Sequence, residues 1–372
     1  MSAAAVVPKL FQPAKLGTRM LAHRVVMAPL TRFRANKDHI LGEMSQDYYG
    51  QRSHTPGGLI ISEGAFISPK AGGYGNVPGI YNDKQVASWK TITDIVHDNG
   101  CRIFCQLWAL GRGARVEVLE EEDPALPYIS SSAVQLTGFP KVPRALTIPE
   151  IKEYVHTYRD AALNAVRAGF DGVELHCANG YLQDQFLQDV CNKRTDEYGG
   201  SIENRCRFSL ESVEAITNAI GEEKVGIRVS PWGDAQDMHM PDPIPTFSYL
   251  ISHIALRYPN LAYVHAVEPS ASGDIDRIKL EHESNDFLRE IWSPRTFISC
   301  GCYTRETAFE TAEKKGDLIA FGRLFIPNPD LPLRLAANLP LVTPRHDTFY
   351  AIEDPHGYID YPFEGEPHPS LY

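Results

Sequence analysis

Short apolar runs alternate with longer segments of three- and four-residue periodicity along nearly the whole chain. The runs at 25–29, 59–65, 102–108, 172–176, 225–230, 262–268, 296–301 and 318–322 are β-prone, and several are apolar throughout. Strict alternation marks a half-solvated strand, whereas a continuous run marks one buried on both faces. Between them, 85–98 and 149–168 carry apolar residues at helical spacing and run out at a glycine, which tolerates the left-handed backbone that ends a helix. Further helices are predicted at 45–52, 204–220, 246–256, 286–292, 305–315 and 331–338. About eight strand–helix pairs is the number that closes a parallel barrel, so the predicted fold class is α/β, a (β/α)8 TIM barrel.

Segments outside the repeat refine this picture. Residues 10–17 and 18–23 read as a hairpin able to plug the N-terminal end of the barrel. Residues 111–144, after the third strand, form a long loop-rich excursion with an acidic run from Glu117 to Asp123 and the cluster Ser130-Ser131-Ser132. Such a loop commonly serves as a lid or pocket wall, and a solvated surface excursion is the plain alternative. The tail is rich in proline, glycine and aromatics and is expected to wrap the surface. One domain spanning 1–372 is expected, with a barrel core at about 24–340 and a wrapping tail at 341–372.

Composition narrows the classes. A formal net charge of -11 offers no attraction to nucleic acid or to an anionic membrane, so a bound phosphate must be gripped locally. Residues 1–8 are too short and lack the basic flank of a signal peptide, and no apolar run approaches membrane-spanning length, so a cytoplasmic protein is expected. The cysteines number seven and are scattered, mostly inside apolar runs, which suits reduced thiols. No CxxC pair or histidine-rich spacing announces a metal, and either a monomer or a homodimer is compatible with the chain.

Strand ends are where α/β barrels keep their chemistry. The stretch Gly172 to Tyr181 begins as a buried strand and ends in a polar loop, placing His176, Asn179 and Tyr181 within reach of one small polar group. Side chains that merely satisfy loop backbone groups are the plain alternative. The other strand ends offer Thr31, Glu63, Gly64, Gln106, Trp108 and Arg228, and the last two end in Gly301 and Gly322-Arg323. Glycines there free backbone N–H groups for a phosphate, and an arginine can bind the dianion as a fork. Phosphate plus a polar-edged flat ring describes a mononucleotide such as FMN.

These residues carry a resemblance. The segments Met27-Ala28-Pro29-Leu30-Thr31-Arg32, Ile61-Ser62-Glu63-Gly64-Ala65, Gly73-Tyr74-Gly75-Asn76-Val77-Pro78-Gly79-Ile80, Cys105-Gln106-Leu107-Trp108, His176-Cys177-Ala178-Asn179-Gly180-Tyr181, Asp196 to Arg205 and Phe321-Gly322-Arg323 occur in the order seen in the Old Yellow Enzyme family. The chain resembles that family of FMN-dependent ene-reductases, particularly its fungal and plant branches, from about Leu10 to Phe363.

The resemblance implies that Pro29, Leu30, Thr31, Gly64, Gln106, Arg228, Gly301, Gly322 and Arg323 bind FMN. Within that set Thr31 faces the flavin C4 carbonyl, Gln106 the pyrimidine edge, and Arg228 the N1 and O2 atoms, where reduction leaves negative charge. NADPH or NADH is implied as a transient hydride donor, in keeping with the missing third glycine of a GxGxxG motif after Gly111-Arg112-Gly113. His176 and Asn179 are implied to hold a substrate carbonyl oxygen, and Tyr181 to deliver a proton to the α-carbon of a conjugated enal, enone or nitroalkene. Tyr74, Trp108 and Tyr350 resemble the aromatic walls of the substrate pocket. Cys302, where several relatives carry asparagine, and the segment Pro231 to Met238 depart from the pattern.

Competing readings use other side chains. Glu63 with Glu268 could serve a TIM-barrel glycoside hydrolase, and His176, His265 and Glu268 could ligate a metal. Neither accounts for Thr31, Gln106, Arg228 and the glycine–arginine end together, and His265 reads better as a core or rim histidine. A non-catalytic flavin or small-molecule binder would keep the FMN residues without needing Tyr181 as an acid.

Overall fold

The computed structural model describes residues 7–366; the outermost residues of the predicted N-terminal lead (1–6) and wrapping tail (367–372) lie outside the described residues. Eight parallel strands form where the apolar runs were read: β1 (Val25–Met27), β2 (Leu59–Phe66), β3 (Arg102–Trp108), β4 (Gly172–Cys177), β5 (Val225–Val229), β6 (Tyr263–Val267), β7 (Phe297–Cys300) and β8 (Leu318–Phe321). They close into a barrel in the order β6-β7-β8-β1-β2-β3-β4-β5, so every strand edge is paired.

Alternation along each strand divides the side chains between two environments. Outward residues such as Val173, Leu175, Val225 and Ile227 join the helices in the large core, while inward Val26, Leu59, Ile61, Phe104, Tyr263, Ile298 and Leu318 fill the barrel floor. Ala14–Leu16 pairs antiparallel with Arg19–Leu21, and Ala14, Leu16 and Leu21 pack into that floor. The predicted hairpin therefore does plug the N-terminal end. Polar inward residues begin only above this seal.

Ten helices occur among the described residues: α1 (Glu43–Arg52), α2 (Asp83–Asp98), α3 (Val116–Glu122), α4 (Ile148–Arg167), α5 (Leu182–Leu187), α6 (Ile202–Ile220), α7 (Ile244–Arg257), α8 (Asp286–Trp292), α9 (Arg305–Lys315) and α10 (Leu331–Ala337). Their starts follow local chemistry: Asn82 caps α2, and Thr147 with Glu150 closes a capping box on α4. Two of the ten were not expected from periodicity. In α5 all six side chains are buried, so there is no polar face to set a period, and α3 has only Val116 and Leu119 buried within an acidic run.

The excursion at 111–144 thus contains a helix, and its residues Arg115, Val118, Glu121 and Glu122 stand beside the cleft described below. The C-terminal tail is tied to the loop after β1 by buried arginines. Arg32 donates to the carbonyls of Phe349 (3.1 Å) and Gly357 (2.7 Å), and Arg34 to those of Thr348, Phe349, Asp354 and His356. Charged donors satisfy carbonyls that have no sheet or helix partner. No helix among the described residues is long and apolar enough to cross a membrane.

Candidate active site

A cleft of about 1340 Å³ opens at the C-terminal ends of the strands. Pro29, Leu30 and Thr31 reach it from the loop after β1, Gln106 and Trp108 from β3, and His176 from β4. Asn179 and Tyr181 follow on the loop after β4, Arg228 comes from β5, Gly301 follows β7, and Gly322 and Arg323 follow β8. Tyr74 and Tyr350 complete the aromatic wall. Residues far apart in sequence converge because parallel strands all end on one face.

Gly64 is the exception among the expected cofactor residues. It does not line the cleft; a Cβ there would stand 2.5 Å from Trp108 Cε3, so its missing side chain makes room for the indole. The β2–β3 register shifts between Ile61 and Gly64, and this bulge also redirects Glu63. Its carboxyl is buried against the Tyr49 hydroxyl of α1 (3.3 Å), outside the cleft lining.

The turn after β4 is over-determined. Asn179 has φ +57°, a region that asparagine tolerates better than most residues. Its N–H donates to Ser230 Oγ (2.8 Å), and its carbonyl accepts from Gln236 Nε2 (2.7 Å). Buried Gln185 of α5 adds bonds from Nε2 to the carbonyls of Gly180 (2.8 Å) and Leu110 (3.0 Å). The side chains of Asn179 and Tyr181 are thereby aimed into the cleft by neighbours outside their own segment.

His176 has a defined tautomer. The Ala178 N–H donates to Nδ1 (3.3 Å), so the ring proton resides on Nε2. Burial, reinforced by Arg228 and His265, holds its pKa well below the ordinary histidine value. It is a neutral N–H donor. The Tyr181 ring stands edge-on to Trp108 (4.7 Å between centroids) and to His176 (5.2 Å). Burial, then the neighbouring Tyr74 and Tyr350, push its phenol well above 10. Tyr181 is therefore protonated at neutral pH.

Beneath the cleft lies a polar layer. Glu174, opposite Gln106 in the β3–β4 register, is fully buried and accepts from Gln106 Nε2 (2.8 Å) through one oxygen, while His265 Nδ1 lies 2.8 Å from the other. Arg228 stands between His176 and His265 on the neighbouring strands; its Nη2 lies 3.9 Å from Cys300 Sγ, and its Nε has no partner. A buried guanidinium with an orphaned N–H at the cleft floor suits an anionic or acceptor-rich ring edge. Sequence reasoning missed Glu174, although alternation places it on the same face as His176, two residues on.

At the other end, Gly301 has φ +147°, and a Cβ there would lie 3.1 Å from that of Glu268. A Cβ on Gly322 would lie 3.2 Å from Leu30 Cδ2. Arg323 is ion-paired with Asp276, which also accepts from Cys302 Sγ (2.9 Å), so a carboxylate stands where a phosphate was expected. The residues present fit FMN: glycines and an arginine at a phosphate end, Thr31, Gln106 and Arg228 along a ring, and aromatic side chains above.

The competing constellations do not assemble. Glu268 is turned to Arg289 and Ser299, and neither it nor Glu63 lines the cleft. His265 faces Glu174 below the floor, so it does not converge with His176 and Glu268 on one ion. Gln236, in the divergent loop after β5, also went unrecognised, since its contact with Asn179 joins segments 57 residues apart.

The signature of the family described as NADH:flavin oxidoreductase / NADH oxidase matches residues 9–342. The chain is 45% identical to a chanoclavine-I aldehyde reductase of Penicillium roqueforti, over 96% of this chain and 97% of that protein. It is 42% identical to a protein of Claviceps fusiformis named as a probable inactive dehydrogenase, over 95% and 94% of the two chains. The crystal structure of Old Yellow Enzyme from a Pichia species superposes with a TM-score of 0.88 at 37% identity, covering 98% of this chain and 95% of that one. The chain belongs to the NADH:flavin oxidoreductase / NADH oxidase family, the Old Yellow Enzyme family of FMN- and nicotinamide-dependent alkene reductases.

Proposed function

We propose that this protein reduces the activated C=C bond of an α,β-unsaturated aldehyde, ketone or nitroalkene. The hydride that the β-carbon receives would come from bound FMN, reduced beforehand by NADPH or NADH. The side chain of Asn179 and the neutral Nε2–H of His176 hold the substrate oxygen. Negative charge grows on that oxygen as the β-carbon is attacked, so two fixed donors stabilise the transition state more than the ground state. Tyr181 gives its phenolic proton to the α-carbon, completing saturation, and draws a replacement from solvent. The observation that carries this reading is the convergence of a neutral Nε2–H donor, an amide and a protonated phenol on one cleft wall.

Phe33, Tyr74, Trp108 and Tyr350 supply the apolar body of the pocket, which suits a conjugated, largely hydrophobic substrate. Seven unpaired cysteines support the expected cytoplasmic setting. Because one relative is named as inactive, the test must separate binding from turnover. An anaerobic absorbance spectrum of the purified protein is recorded, with NADPH and then cyclohexenone added in sequence. A flavin spectrum bleached by NADPH and restored by the enone is the expected result. A flavin that stays bleached after the enone would refute alkene reduction, one that NADPH never bleaches would leave a binding protein, and a protein that takes up no FMN would overturn the cofactor assignment.

A further inference from the structure

The floor of the cleft carries more charge chemistry than cofactor contact alone requires. Only Gln106, Arg228 and Cys300 of the floor group line the cleft; Glu174 and His265 are fully buried beneath it. A carboxylate can only accept hydrogen bonds. Gln106 must therefore turn Nε2 toward Glu174, which leaves its oxygen Oε1 for the cleft. Both Glu174 oxygens are taken, one by Gln106 and one by His265, and neither by Arg228.

The histidine supplies the balancing charge. Burial opposes a charge on either member, yet the Glu174 carboxylate raises His265 above the ordinary histidine value, and His265 in turn lowers Glu174. The 2.8 Å contact therefore favours the charged pair, imidazolium against carboxylate. The other ring nitrogen of His265 has no conventional hydrogen-bond partner. Had His265 been neutral, the Glu174 charge would offset Arg228 and weaken its pull on an anionic ring edge.

We propose that Glu174 and His265 are a buried positioning pair: the carboxylate locks the Gln106 amide with its oxygen toward the cofactor, and the imidazolium cancels that carboxylate so that Arg228 meets the ring as an uncompensated cation. Neither residue touches the cofactor; each acts through Gln106 or Arg228. The assignment rests on FMN occupying this cleft.

The test measures FMN affinity by fluorescence quenching and the midpoint potential of bound FMN in the full chain and in Glu174→Gln, His265→Gln, Gln106→Leu and the double variant Glu174→Gln/Gln106→Leu, with circular dichroism to confirm folding. In Glu174→Gln the lock is lost, and affinity falls tenfold or more; in the Gln106→Leu background the same change costs less than twofold, because the residue being positioned is gone. His265→Gln keeps a donor to Glu174 but removes the charge, so oxidised-FMN affinity stays within about threefold while the potential falls. A tenfold loss in relative affinity for the reduced form is about 30 mV in a two-electron couple. Equal losses from Glu174→Gln in both backgrounds would make its role purely structural and overturn the proposal. If Glu174→Gln does not fold, His265→Gln decides alone: an unchanged potential overturns the charge-cancelling role. Wild-type protein that binds no FMN would sink the cofactor reading first, a result distinct from variants that bind FMN without these differences.

Discussion

Replacing Tyr181 with phenylalanine isolates one oxygen atom. Phenylalanine keeps the ring against Trp108 and His176, at 4.7 and 5.2 Å between centroids, so packing is preserved and only the phenolic oxygen beside Tyr74 is lost. Its loss should cost at most about 1 kcal/mol of stability. If the phenol is the proton donor, the alkene-reducing step loses a general acid, a factor of roughly 10² to 10⁴, or about 3–5 kcal/mol of barrier. Flavin reduction by NADPH does not use that proton and should change by less than about threefold. Anaerobic stopped-flow absorbance separates the two half-reactions. Because burial holds the Tyr181 phenol well above 10 and the His176 imidazole well below 6.5, neither titrates between about pH 7 and 9. The wild-type alkene step should be flat in that window as far as these groups are concerned. Enone reduction that survives undiminished in a folded variant would refute Tyr181 as the acid.

Other perturbations probe the scaffold around it. Gly64→Ala drives a Cβ to 2.5 Å from the Trp108 ring and should destabilise by about 1–3 kcal/mol through overpacking, read as a lower midpoint in denaturant unfolding; unaltered stability would mean that the indole yields freely. Replacing both His176 and Asn179 with alanine removes two donors worth about 1.5–3 kcal/mol each toward an anionic oxygen. Phenol binding and enone turnover should then weaken together, and unchanged phenol affinity by spectral titration would argue against their shared role. Burial raises the Asp184 carboxyl from 3.8 to about 7, so across that interval the folded protein retains a proton that the unfolded chain has released. Its stabilising contribution is complete below about pH 4 and is lost as pH rises to 7, at up to about 1.4 kcal/mol per unit. Asp184→Asn should flatten that slope in urea titrations at pH 5 and 7, leaving the share from Glu63, which burial also raises to about 7; a slope as steep as the parent's would show that Asp184 is ionised in the fold.

What the sequence determined by itself was whatever short-range pattern encodes. Eight apolar runs separated by amphipathic helices dictate a parallel barrel, because such strands must be covered on both faces, and barrel closure puts their C-terminal ends on one side. That was enough to bring His176, Asn179, Tyr181, Gln106, Arg228, Gly322 and Arg323 to one cleft. Only the tertiary structure decided the rest. Helix α5 is buried on every side, so no periodicity announces it. Glu63 leaves the mouth, and Gly64 yields to Trp108, because of a bulge that depends on the neighbouring strand's register. Glu174 and His265 become a pair across 91 residues, since charge compensation in a buried interior is set by which side chains meet in space, and sequence spacing carries no record of that meeting.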